Sequence, residues 1–370
     1  MNLNGQWTGE YSGTNKGLLV VELDVVEDQL QGTAVAIDYD LALPATECEL
    51  FLSKGQDKFT LSRPFYPVDR NTCLAISPAD FEKRYPGVTR PTKADIECEI
   101  VPPRISIKWK TDIGTSGECT LARGDGGKPS TLEPIKEVTD WSTFKNYATE
   151  LPSDRFIFRG QEKKIWRLRT AFHRTDRASL RRFLSIDVKT LHRNLSGMTS
   201  HRFDLTDGLD YAAFLALVQH HGYPTPVLDW TRSPFIAAYF AFRNLDPTTI
   251  AKDDRVRIHV LDGKAWNMLP HATAVSPAFL HMTIVEPLAI NNVRVVPQQS
   301  VSVVTNVEDL ETHIQRLERI QKWSFLKVID LPAEERSKVI RELDLMGINA
   351  GSLFPGLDGA CRQLKERFFG

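Results

Sequence analysis

The feature that most constrains this chain is a change of pattern at residues 123–134, RGDGGKPSTLEP, where Gly, Pro, Ser and charge crowd together. Such composition reads as a connector between folded units. Before it the chain alternates apolar and polar residues, as in Leu18-Leu19-Val20-Val21-Glu22-Leu23-Asp24-Val25. The same pattern recurs around Ile100, Ser106-Ile107-Lys108-Trp109 and Cys119-Thr120-Leu121. That period belongs to half-buried strands. Turn residues separate them at Ser12-Gly13-Thr14-Asn15, Leu30-Gln31-Gly32 and Ser116-Gly117. The spacing predicts a small antiparallel β barrel or sandwich, and Gly5-Gln6-Trp7-Thr8-Gly9 fits a Trp plugging one end.

After the connector the patterns mix. Helices are expected from Asp140, where one is short, over a long stretch at about 178–195, from Asp210 to His221, from Ser233 to Asn244 and over about 333–345. Strands are expected at Arg155–Gly160, Thr225–Trp230, Val256–Leu261, Val293–Val296 and Phe325–Ile329. The fold class is therefore α+β rather than regular βαβ alternation. The expected organisation is a β-rich domain over 1–125, a linker over 126–134 and a mixed α+β domain over 135–370.

A length of 370 residues suits two domains. The net charge of −1 excludes a globally basic nucleic-acid coat. The opening MNLNGQWTGEYSG has neither the basic nor the apolar region of a signal peptide. No apolar run nears the ~20 residues that span a bilayer. The five cysteines are scattered without a C-x-x-C pair, which disfavours a disulfide framework or a cysteine zinc site. A reduced, cytoplasmic protein with no metal and no membrane partner is the expectation.

The overall balance hides a local imbalance. Residues 155–202 hold 13 Lys or Arg and three acids, a net +10 that leaves −11 elsewhere. Arg167, Arg169, Arg174, Arg177, Arg181 and Arg182 favour forked contacts to phosphate. They point to DNA, RNA or the pyrophosphate of a dinucleotide, or else to a helix face paired with acids elsewhere.

The chain carries no P-loop, H-E-x-x-H, G-x-S-x-G or G-x-G-x-x-G. Its informative segments are Phe158-Arg159-Gly160-Gln161 and the polar, aromatic run from Gln219 to Pro234. The first places an arginine at a strand end beside a glycine that lets a backbone or ligand approach.

These residues resemble the FRG-domain family, named for the motif seen at Phe158, Arg159 and Gly160. Its Q-H-x-G-x-P-T-x-L-L-D-W-T block is matched from Gln219 to Thr231, with Val227 for a Leu. Its R-[IV]-x-x-Q segment is matched by Arg294-Val295-Val296-Pro297-Gln298. Its closing G-I-x-x-x-x-L-F-P-x-L-D-G block runs from Gly347-Ile348 to Asp358-Gly359, with Gly356 where an acid is usual. The resemblance covers roughly 135–365, and Ser300 and Ser302 depart from the usual Q-x-G-x-F.

A fainter similarity is to ADP-ribosyltransferases of the Arg-Ser-Glu type. Arg159-Gly160, then Trp230-Thr231-Arg232-Ser233-Pro234 leading into Ala237 and Phe240, then Gln298-Gln299 follow that family's order. The resemblance implies NAD as substrate and Arg159, Gly160 and Gln161 at the pyrophosphate. It further implies Thr231 and Ser233 as site hydroxyls and Gln298 at the nicotinamide ribose. Gln298 stands where a carboxylate is usual, which leaves three options. The site is an atypical transferase, or a nucleotide-binding pseudoenzyme, or it uses another carboxylate such as Glu286 or Glu308.

Three further residues are candidates on their own chemistry. His221, of the His220-His221 pair, could act as a general base or touch nicotinamide, or cap a helix. Tyr223 could stack on a base or simply pack. Asp229 could be an acid, a cap or a partner of Arg159. The expected function is an ADP-ribosyltransferase-like effector, of the toxin or phage-defence kind by resemblance, modifying a nucleic acid or protein. A protein partner would meet the β domain. The alternatives are a non-catalytic nucleotide- or nucleic-acid-sensing module, and a nuclease using His220 or His221 with Asp229.

Overall fold

The computed structural model describes residues 3–53, 55–269 and 278–369. Among them the N-terminal strands are β1 (Gly5–Gly13), β2 (Gly17–Val26), β3 (Gln29–Asp38), β4 (Ala45–Ser53), β5 (Lys58–Pro64), β6 (Tyr66–Val68), β7 (Lys93–Val101), β8 (Arg104–Thr111) and β9 (Ser116–Arg123), with α1 (Pro78–Arg84) between β6 and β7. They form one antiparallel sheet in the order β5-β7-β8-β9-β1-β2-β3-β4-β6, curled into a nearly closed barrel. Alternation does what it predicts: Leu19, Val21 and Leu23 face the interior with Trp7, Tyr11, Leu50 and Leu121. Glu22 and Asp24, on the other side of β2, are nonetheless only 2% exposed, because the rest of the chain packs there.

Two expected turns fall elsewhere. Leu30-Gln31-Gly32 lies inside β3, paired with β2 down to Val26↔Gln29, and the chain reverses at Glu27, whose φ is 55°. Leu30 is buried, so the apolar alternation carries pairing past the glycine. Likewise Ser116-Gly117 begins β9, and the reversal centres on Gly114 with φ 86°.

The second sheet contains β10 (Phe156–Gln161), β11 (Val227–Thr231), β12 (Arg255–Asp262), β13 (Met282–Val285), β14 (Ser300–Thr305) and β15 (Leu326–Pro332). Their order is β13-β14-β11-β10-β12-β15, and the paired neighbours run antiparallel. Helices α2 (Trp141–Glu150), α3 (Ala171–Arg174), α4 (Leu180–Arg182), α5 (Val188–Leu195), α6 (Gly208–His220), α7 (Pro234–Phe242), α8 (Gly263–Trp266), α9 (Leu310–Gln321), α10 (Arg336–Leu345), α11 (Ala350–Leu353) and α12 (Leu357–Phe369) surround it. One face buries Phe158, Val260 and Ile329 against α2, α7 and α10. The other buries Ile157, Trp230 and Val301 against α8 and α9. The whole is a mixed α+β structure.

One further expectation changes here. Val293–Val296 is a turn rather than a strand: Val293 and Val296 are exposed, and Pro297 cannot donate to a ladder. The helical stretch expected over about 178–195 is present from Leu180 to Leu195, running without a gap through α4, a π-turn at Phe183–Asp187 and α5. Residues 123–134 are bonded along their length, with Asp125 N donating to Asp309 and Ser130 Oγ to Glu311. No helix among the described residues is long and apolar enough to cross a membrane.

Candidate functional site

The segments singled out by sequence meet where β10 and β11 diverge. The two strands pair only at Phe158↔Thr231, whereas β10 pairs with β12 along its whole length. Beyond that single pair, the Arg159 guanidinium donates across the gap to the Asp229 carbonyl. Thr231 Oγ1 donates to the Gln298 carbonyl at 2.7 Å, and Gln298 Nε2 to the Leu353 carbonyl at 2.9 Å. The Arg294 guanidinium lies 5.0 Å from the centre of the Phe354 ring. Strand end, β11 exit, pre-β14 turn and α11 are thus chained together by hydrogen bonds and one cation–π contact.

Arg159 is the electrostatic oddity of this cluster. Its Nε is out of solvent without a hydrogen-bond partner, and among the described residues the side chain makes no ion pair. Burial holds the guanidinium pKa below its ordinary value; Asp229 opposes this and Arg174 adds to it. Arg174 is lowered too, by burial first and then by Arg169. The Asp229 carboxylate does not bridge to Arg159. It accepts instead from Gln219 Nε2, while Thr225 donates to the same glutamine's oxygen. The exposed Asp229 carboxylate therefore acts on both guanidinium groups from a distance and pairs with neither.

Several expected site residues prove to be engaged in the scaffold. Gly160 meets a helix, not a ligand: a Cβ there would sit 1.9 Å from the Ala237 carbonyl on α7. Gln161 is buried with Oε1 unpartnered. Ser233 caps α7 by accepting from Ile236 N, and Thr231 Oγ1 accepts from Ser233 N. Tyr223 donates to Asp187 at 3.0 Å and packs on Phe183. His221 lies exposed at the end of α6. Its neighbour His220 is half-buried, its pKa pulled down to about 4 by burial, then by Arg294 and His221. Glu286 pairs with Arg232, and Glu308 lies at the barrel, so neither enters the cluster.

Sequence reasoning missed a second basic group. Arg243, Arg294 and Arg362 approach the Phe354 ring to 4.8, 5.0 and 5.4 Å. Only Arg294 and Phe354 stood in recognisable motifs. Among the described residues, no group of three or more His, Cys, Asp or Glu is placed to hold a metal ion.

The family model of the FRG domain matches residues 154–249. The chain carries an FRG domain. The match spans β10, α6, β11 and α7; the segments at Arg294–Gln298 and Gly347–Gly359 lie beyond it. No curated protein matches the chain. Among solved structures, a redesigned β barrel, mFAP1 bound to DFHBI, matches at 13% identity, covering 33% of this chain and 94% of its own with a TM-score of 0.23. A second redesigned barrel matches at 12%, over 33% and 91%, with a TM-score of 0.23. Rv2717c from M. tuberculosis matches at 12%, over 33% and 92%, with a TM-score of 0.21.

Part of the basic stretch of the FRG domain is turned inward. Arg167 pairs with Asp309 at 2.8 Å and Arg169 with Glu308 at 2.6 Å. Arg177 pairs with Asp187 and Asp24, and Arg181 with Glu47. Asp24 and Glu47 belong to the outer face of the barrel, and Glu308 also bonds Gln6 N on β1. Arg174 and Arg182 have no carboxylate within ion-pair distance among the described residues. Among the described residues, five of the stretch's 13 basic side chains, the four paired above and Arg155, are thus ion-paired, chiefly where the two sheets meet.

Proposed function

We propose that the FRG domain binds a pyrophosphate-bearing nucleotide, NAD in the first instance, and acts on it as an ADP-ribosyltransferase-like enzyme. The observation that carries this reading is Arg159, a half-buried guanidinium with Nε out of solvent and unbonded, no ion pair among the described residues and a second arginine beside it. A charge so held is unfavourable until an anion reaches it, and such perturbed groups cluster at functional sites. Its fork suits two phosphate oxygens, and Arg174 would add to the field.

Asp229 is the carboxylate assigned the electrostatic role. As the C–N bond to nicotinamide breaks, its electron pair goes to the ring nitrogen. Positive charge grows at the ribose C1′, where a carboxylate stabilises it until the acceptor's nucleophile bonds there. Gln298 is not given this role, because its Nε2 is held by Leu353. A protein acceptor is favoured over a nucleic acid, because four of the six arginines expected to meet phosphate are ion-paired within the chain. On this reading the protein is a cytoplasmic effector of the toxin or phage-defence kind.

A second reading has its own support. Thr231, Ser233 and Gln298 are all tied into the scaffold, as suits a module that senses a nucleotide without turning it over.

Incubation of the full chain with nicotinamide-labelled NAD separates them, with lysate, DNA or RNA added in turn. The transferase reading expects nicotinamide release that drops at least ~100-fold in Arg159→Lys and in Asp229→Asn, with melting temperatures close to wild type. A rise in melting temperature with NAD but no release would select the sensing module. Neither release nor a shift would overturn both.

A further inference from the structure

We propose that the barrel interior is a binding site for an amphipathic small molecule, its apolar body inside and one anionic head at Arg90. The inference stands on the N-terminal sheet alone and is independent of the reading of the FRG domain.

Barrels of this size are commonly filled by their own side chains. This one encloses a cavity of about 480 Å³, within the range of roughly 300–1,000 Å³ typical of small-molecule sites. The space arises from β3, where Ala34 and Ala36 point inward between larger neighbours on β2 and β4. Phe59, Leu61, Ile107 and Trp109 line the cavity yet stay partly exposed, so it is reached from outside.

One end is shut. Trp7 is fully buried there, its Nε1 donating to the Leu3 carbonyl at 2.9 Å. The other end is ringed by Thr14, Asn15, Thr89, Arg90 and Thr115, so the mouth is polar and the wall is not.

The polar groups inside are already satisfied. Tyr11 Oη donates to Asp38 at 3.2 Å, and Asp38 also accepts from Asp40 N. Burial pushes the Cys48 and Cys98 thiols up to about 12, so they line the wall as apolar groups rather than nucleophiles. Arg90 differs. It is half-buried at the mouth, and among the described residues its guanidinium has neither an ion pair nor a hydrogen bond. An apolar interior with one free cation at its rim fits a chain or ring system ending in a carboxylate, sulfonate or phosphate.

The full chain is titrated with 1-anilinonaphthalene-8-sulfonate, then with dodecanoate and dodecanol as competitors. One saturable site per chain is expected, with energy transfer from Trp109 and displacement by both competitors. Dodecanoate should be the tighter by about 10-fold, one hydrogen-bonded charge contact. Ala36→Phe, whose ring would fill the cavity, should weaken all three at least ~10-fold without lowering the melting temperature; Ala34→Phe serves if that variant does not fold. Arg90→Gln should abolish the preference for dodecanoate while leaving dodecanol unchanged. Binding at wild-type affinity in both filled variants would place the probe elsewhere and overturn the site. Equal displacement by the two competitors in wild type would overturn the anionic head.

Discussion

Glu22 shows how far a single side chain's setting departs from its sequence. It sits on an alternating strand where a solvent-facing acid is expected, yet it is buried between Gln6 and Leu180 N. Burial above all raises its pKa to about 8, against the hydrogen bonds that lower it. The native state therefore keeps a proton that the unfolded chain releases above about pH 4.5. Its stabilising effect is full below that pH and is lost as the pH climbs through about 8. Stability should fall with rising pH by at most about 1.4 kcal/mol per unit in that window. The melting temperature of wild type should decline between about pH 6 and pH 8 relative to Glu22→Gln, which lacks the titration. Glu47 and Glu311 shift in the same direction, so the difference between the two proteins is the diagnostic. Identical slopes would remove Glu22 from the account. Nothing in the local sequence betrays this burial, because the covering residues lie some 150 positions downstream.

At the scale of elements, strands carried by β-branched alternation were legible: β2, β12 and β15 lie where their patterns place them. The segment Val293–Val296 has the same composition but not the context, since Pro297 ends any ladder and Asn292 already bonds Arg294 N. The role of Gly160 was half legible. A glycine permits close approach, and the approaching group is the backbone of α7. In Gly160→Ala the new Cβ would face Ala237 O at 1.9 Å and Ala241 N at 2.8 Å. Helix and strand must separate, at about 3 kcal/mol, the upper end for overpacking. Denaturant midpoints should show it, whereas Arg159→Lys beside it should leave them nearly unmoved. Gln298 makes a matching case between turn and helix. Were it a degenerate catalytic glutamate, Gln298→Glu would restore function. Because its amide donates to Leu353 O, the acid should instead set two oxygens against each other and destabilise by about 1–3 kcal/mol. A gain in nicotinamide release with unchanged stability would reverse that assignment.

At the scale of the whole molecule the decisive sequence fact was the charge partition, +10 over 155–202 against −11 elsewhere. Sequence alone could not say whether that charge meets a polyanion or the chain's own acids, because the pairing partners are far apart in the chain. The fold brings them together along the outer face of the barrel. Asp24 accepts from Ala178 N at 2.7 Å, Ser179 N at 3.2 Å and Arg177 Nε at 3.4 Å. Glu22 takes Leu180 N, and Glu47 takes Arg181. Removing Asp24 leaves two buried N–H groups without an acceptor and the Arg177 guanidinium with Asp187 alone, a loss of about 3 kcal/mol or more. That loss falls on the contact between the sheets rather than within either one. Asp24→Ala should therefore split a single calorimetric transition into two, with the barrel and the FRG domain melting apart. It should also uncover Arg177 and its neighbours. Wild type should bind a single-stranded oligonucleotide weakly and with little salt dependence, while Asp24→Ala binds more tightly with a steeper slope. A wild-type slope equal to that of the variant would mean that the ion pairs do not mask the arginines, and that the polyanion surface is open in the intact protein.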